Sequence, residues 1–160
     1  MEKARVKWVL RERNRKIAAK TEAFTEQQAR RVRRFHSSFK EYSPTPLIEL
    51  TNLAQHLGIK NLFVKDESCR FGLNAFKVLG GSFAIGSYIA NELGEDIDDL
   101  PYMRLVSDEV RCLLGSKIFI TTTDGNHGRG VAWTANRLKQ QAIVYMPQGS
   151  AAERLANIRA

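Results

Sequence analysis

A chain of 160 residues with 43% hydrophobic and 26% charged content is long enough for one domain with its own core, and its balance is that of a water-soluble fold. No apolar run approaches the length of a bilayer span and no secretion-signal stretch opens the chain, so a cytoplasmic product without membrane partners is expected. The formal charge of +8 invites a nucleic-acid reading, but its distribution argues against one: residues 1–40 hold 13 Lys/Arg against 4 Asp/Glu, and residues 41–160 hold 12 against 13.

Residues 1–42 therefore read as a basic, largely helical arm with few breakers. Arg30, Arg31, Arg33 and Arg34 form a cluster able to contact phosphates weakly, yet no aromatic-interleaved basic platform or zinc-finger spacing accompanies them. The Ser43–Pro46 stretch ends the arm, because its two prolines remove amide donors and bias their predecessors to extended geometry. The domain of interest is expected to span 43–160.

From there helices and strands alternate. Leu50 to Leu57 predicts a helix, with Thr51 as N-cap and Gly58 as its stop. Asn61 to Lys65 is a short apolar strand. Lys77 to Leu93 has the spacing of a buried helix closed by Gly94, and the acidic run Glu95 to Pro101 reads as a surface connection. Val106 to Leu114 predicts a further helix closed by Gly115, and Lys117 to Thr122 a β-branched strand. Asn126 to Leu138 predicts a helix, Ala142 to Met146 a strand, and Ser150 onward a helix start with Glu153 in capping-box position. Strands alternating with helices predict an α/β fold, a three-layer parallel sheet with crossover helices. Ligands of such sheets sit beyond the carboxyl ends of the strands, where Asp124 to Gly128 falls.

Two stretches carry chemistry. In Lys65 to Gly81, KDESCRFGLNAFKVLGG, Lys77 stands directly before an apolar helical run. A lysine in an apolar setting loses ammonium hydration, and the free amine then becomes available to condense with an aldehyde. A solvent-facing lysine at a helix start satisfies the same pattern. Gly80 and Gly81 are costly inside a helix, which calls for close approach of a cofactor or a neighbouring backbone. In Thr121 to Gly130, TTTDGNHGRG, glycines permit a tight strand-to-helix turn whose unpaired amides suit a substrate carboxylate. Asn126 has the donors to meet a ring oxygen; a plain tight turn explains the same glycines and asparagine. Asp124 reads either as a cap of the following helix or as a general base in a closed site. His127 fits a turn or packing residue without a proton-transfer role. Two cysteines, Cys69 and Cys112, form no disulfide framework or CxxC pair and read as small, partly buried residues.

Taken together, SPTPL, KDES-x-RFGLNAFK, TTTDGNHGRGVAW and YMPQGSA-x-ER, in order over residues 35–160, resemble the diaminopropionate ammonia-lyases. These belong to the tryptophan-synthase-β-like, fold type II enzymes dependent on pyridoxal 5'-phosphate (PLP). The resemblance implies a homodimeric enzyme of amino-acid catabolism that eliminates ammonia from 2,3-diaminopropionate, releasing pyruvate. It implies that Lys77 holds PLP and that Asn126 touches its ring oxygen. The loop Asp124, Gly125, Asn126, His127 and Gly128 would bind the substrate. Lys77 would serve as base for the L form and Asp124 for the D form. Serine and threonine dehydratases share the architecture but usually carry serine where Asp124 stands. A non-catalytic remnant with a nucleic-acid-binding arm is the reading from another class. Relatives of this family continue past residue 160 to a glycine-rich phosphate cradle, so a 160-residue product is expected to be a truncated form with little or no lyase activity.

Overall fold

A computed structural model describes residue 21 and residues 24–159 of the chain. The expectation of a helical arm over residues 1–20 lies outside the described residues. The first described helix, α1 (Glu26–Ser37), is capped by the Thr25 side chain, which accepts from the Gln28 amide. Its end is part of the core: Phe35, His36 and, just beyond the helix, Phe39 are buried. The residues on both sides of the Ser43–Pro46 stretch thus share one apolar cluster. The arginine cluster is largely met within the fold. Arg30 pairs with Glu26, Arg31 with Asp96 and Asp98, and Arg34 with Asp98. The acidic run therefore neutralises the basic helix it faces.

Strand β1 (Leu47–Glu49) follows the prolines, has no counterpart among the predicted elements, and pairs antiparallel with β2 (Phe63–Lys65). Helix α2 (Thr51–Leu57) lies between them. Thr51 is its first helical residue, not its cap: Leu50 occupies the cap position and offers no side-chain acceptor. Gly58 closes α2 at φ 69° and Gly94 closes the next helix at φ 69°, both as their left-handed stop role requires.

Helix α3 (Lys77–Leu93) is the central element and begins and ends where the sequence predicts. It meets α1 at Gly86, where an added Cβ would fall 2.6 Å from the Phe35 ring. The acidic connection is more than surface, because Ile97 and Leu100 anchor it in the core. The predicted helix over Val106 to Leu114 begins two residues later, as α5 (Asp108–Leu114), and a short helix that the sequence does not announce, α4 (Tyr102–Leu105), precedes it. Ser107 caps α5 by accepting from Val110.

The chain then forms β3 (Ile118–Thr122), α6 (Asn126–Arg137), β4 (Gln141–Tyr145) and α7 (Ala152–Arg159). Strands β3 and β4 are parallel, with Ile120 opposite Ile143, and α6 is their crossover. The predicted parallel arrangement holds for this pair, whereas β1 and β2 form a separate antiparallel sheet. One face of β3–β4 packs beneath the helices through Phe119, Ala142 and Val144. The other displays Ile118, Ile120, Ile143 and Tyr145. Ser150 does not cap α7; its hydroxyl donates to the Pro147 carbonyl instead. Among the described residues no helix is long and apolar enough to cross a membrane. Cys69 and Cys112 are both exposed, contrary to the expectation of partial burial.

Candidate active site

The two sequence stretches meet because α3 and α6 pack against each other at their N-terminal ends. Gly130, in the second turn of α6, lies over Val78: a Cβ built there would stand 2.8 Å from the Val78 Cα and 3.1 Å from its nitrogen. Only glycine permits this approach, which carries the start of α6 to the residue next to Lys77. Gly128 is equally constrained, since its Cβ would meet the Thr123 side chain and, at 2.6 Å, the Val144 Cγ1. Two glycines of the GNHGRG loop therefore serve packing: one seats α6 on the strands, the other seats it on α3.

A side-chain bond reinforces the junction. Arg129 of α6 donates from Nη1 to the Leu73 carbonyl at 2.9 Å, four residues before Lys77. The segment it grips is conformationally unusual, with Phe71 at φ 49°, Gly72 at φ 71° and Asn74 at φ 52°. Non-glycine residues hold left-handed geometry only when their surroundings over-determine it. Here the Phe71 ring is buried beside Phe39 and Trp133. Arg70, buried too, donates to Glu67, Thr45 and the Ser43 carbonyl. The hydrogen bond from Arg70 holds the Glu67 carboxyl below its ordinary value, and the same bond raises the Arg70 guanidinium above its own. The polar knot links the proline stretch to the approach to Lys77.

Beneath α3, His36 Nε2 lies 2.8 Å from Ser82 Oγ, and Ser82 in turn donates to the Leu79 carbonyl. Burial pushes the His36 imidazole down to about 4; the Val32 and Leu79 carbonyls oppose this and the nearby Arg70 charge adds to it. His36 is thus a neutral core residue of α1 and α3, and the sequence motifs contain no trace of it.

The candidate residues themselves face outward. Lys77 is exposed at the first position of α3, so the apolar surroundings expected for its amine are not provided by the described residues. Gly80 has open space where its Cβ would be, and Gly81 makes an ordinary 3.5 Å contact with Val131. Close backbone approach accounts for neither. Asn126 and His127 are exposed at the first two positions of α6. Asp124 does not cap that helix: Gly125 is the cap residue and no side chain accepts from the first amides. Its carboxylate, 74% exposed rather than closed away from water, instead pairs with Arg154 of α7 at 3.2 Å. Arg154 also donates to the Asp124 backbone carbonyl at 2.9 Å. Sequence reasoning singled out neither Arg129 nor Arg154; their partners lie 56 and 30 residues away, beyond any local pattern. Two concavities lie elsewhere and include none of these residues. One, of about 470 Å³, runs along β3 between Ala84, Tyr88 and Ile120; the other lies at Glu49–Leu53.

The donor set has a definite chemistry. An exposed primary amine, an exposed carboxamide and uncapped helix amides suit an aldehyde, a ring oxygen and a carboxylate respectively. These groups fit the aldehyde-bearing face of a pyridoxal coenzyme and the carboxylate of an amino acid.

Comparison with known proteins agrees with this chemistry. The model of the family described as "Pyridoxal-phosphate dependent enzyme" matches residues 39–160. Diaminopropionate ammonia-lyase of Salmonella typhimurium (strain LT2) is 50% identical over 125 residues, which cover 78% of this chain and 31% of that protein. Two crystal structures of the Escherichia coli diaminopropionate ammonia lyase, one in complex with D-serine and one of the selenomethionine-incorporated holo form, each superpose with a TM-score of 0.80. Both are 47% identical and align over 86% of this chain and 34% of theirs. The chain spans about a third of the length of these relatives.

Proposed function

The chain belongs to the pyridoxal-phosphate-dependent enzymes, and from that premise we propose that it carries the lysine and asparagine-loop part of a diaminopropionate ammonia-lyase. The observation that bears most weight is the apposition of the two motifs through Gly130 and Val78. It brings one amine and one substrate-type loop together in a segment about 50% identical to such a lyase.

PLP, when bound, supplies an electron sink for negative charge at the substrate Cα. The chain's own residues do the rest. Lys77 Nζ would hold the coenzyme through its aldehyde and, as a free amine, would accept the α-proton of the L substrate. Asn126 would donate from its carboxamide to the coenzyme's ring oxygen. The uncapped amides at the start of α6 receive the substrate carboxylate, and the positive end of the helix favours that anion. Gly125 and Gly128 belong to that loop, Gly128 by seating α6 on the strands, and His127 lines it. The Asp124 carboxylate would accept the α-proton of the D substrate. The products would be pyruvate and two molecules of ammonia, with one water consumed. The family resemblance also supports a cytosolic homodimer in amino-acid catabolism for the complete protein, and residues 1–42 are read as an arm preceding the catalytic domain at 43–160.

Borohydride reduction with PLP, followed by peptide mapping, tests the assignment. The label is expected on Lys77 and is expected to vanish in Lys77→Ala. A label spread over other lysines, or one that survives the substitution, removes Lys77 from this role.

A further inference from the structure

We infer that Arg154 is a positioning residue that holds the Asp124 carboxylate away from the α6 amides and so keeps them open to the carboxylate of the amino-acid substrate. The inference rests on the reading of Asp124–Gly128 as the amino-acid site. A carboxylate one residue before a helix cap is drawn to the unpaired amides and the positive helix end. Asp124 is so placed, yet no side chain caps α6. The competing attraction is visible. One nitrogen, Arg154 Nη1, donates to the Asp124 carbonyl at 2.9 Å and to its Oδ2 at 3.2 Å, which fixes loop backbone and side chain together. The Arg154 Cδ stands 3.7 Å from the Cβ position of Gly125, so its stem lies along the loop. An exposed ion pair contributes little to stability, which leaves positioning as its consequence.

Without the guanidinium, Asp124 is free to swing over the amides and act as an internal competitor for the substrate carboxylate. Arg154→Gln is therefore expected to slow hydrogen exchange of the Asn126, His127 and Gly128 amides in this chain without lowering its unfolding midpoint; Arg154→Lys, which retains a cation, is expected to change the exchange less. In the holoenzyme of the complete protein, Arg154→Gln is expected to raise KM for the L isomer roughly twofold to fivefold, the scale of an anion at an exposed helix start. Removing the competitor as well, in Arg154→Gln with Asp124→Ala, is expected to return that KM to the value of Asp124→Ala alone. Unchanged or faster amide exchange, or a KM rise that persists in the double variant, overturns the inference. Its failure is distinguishable from failure of the site reading. If Asp124→Ala impairs both isomers equally, Asp124 is not the D-face base, while the exchange and KM comparisons still decide the role of Arg154.

Discussion

Replacing Gly130 with alanine is the most direct test of how the two motifs are held together. In an open helical position the change stabilises by roughly 1 kcal/mol, because glycine gives up more backbone freedom on folding. Gly130 is not open. The new methyl would lie 2.8, 3.1 and 3.3 Å from the Cα, nitrogen and Cβ of Val78. Carbon atoms in contact prefer about 3.5–4.0 Å. The obstacle is mostly backbone at the start of α3, which no rotamer change can remove, so α6 must back away by something near 1 Å. Overpacking of this kind costs about 1–3 kcal/mol, enough to cancel the propensity gain of about 1 kcal/mol and leave a net loss of up to about 2 kcal/mol. Gly80→Ala is the matched control, since Gly80 lies inside α3 with nothing within 4 Å of its Cβ position, and it should gain up to about 1 kcal/mol. Urea denaturation of both variants, followed by circular dichroism, reads the difference. PLP labelling of Lys77 should fall in Gly130→Ala even at low urea. If Gly130→Ala were stabilised as much as Gly80→Ala, the helix contact would not be tight and the argument would fail.

Acid should weaken the fold through His36. Its folded value of about 4 lies below the unfolded 6.5, so the unfolded chain takes up the proton first as pH falls. The stability contributed by the neutral ring is complete above 6.5, declines through the window and is gone near 4, a loss of about 3 kcal/mol. The Glu67 carboxyl, held below its ordinary 4.5, contributes above 4.5 and loses its share only as pH falls further, so decline above 4.5 reports the histidine. Urea midpoints between pH 7 and 4.5 should shift in the native chain and flatten in His36→Gln; parallel slopes would exclude His36. Arg70→Met should cost about 3 kcal/mol by stranding the Glu67 carboxylate in a buried network, and Glu67→Gln in the same chain should recover part of the loss. A cost within experimental error would mean that water replaces the guanidinium there.

Much of the fold is legible where the signal is local. Helix α3 runs from Lys77 to Leu93 as its periodicity and the Gly94 stop require, and β3, α6 and β4 fall within a residue of expectation. Strand β1 is not legible, because three residues after Pro46 become a strand only by pairing with Phe63–Lys65 on the far side of α2. The acidic connection misleads for a related reason: two apolar residues, Ile97 and Leu100, bury themselves among carboxylates with no periodicity to announce them. Arg31 and Arg34 look like a free basic patch until Asp98 is brought opposite by packing.

The site divides along the same line. Glycines at 128 and 130 read locally as a tight turn; that they serve close packing is a tertiary fact, supplied here by Val78 and Val144. Asp124 is the sharper case. The local rule places a carboxylate before a helix as a cap, and that rule is physically sound. It fails because α7 delivers Arg154 to the same loop, and a guanidinium that binds carbonyl and carboxylate at once outcompetes amides that only the carboxylate can reach. A capped α6 would be a quiet turn with its positive end already spent. An uncapped α6, with the acid drawn aside by a cation thirty residues away, retains unpaired amides and a carboxylate beside them, which on the function proposed above are the two groups this loop would contribute.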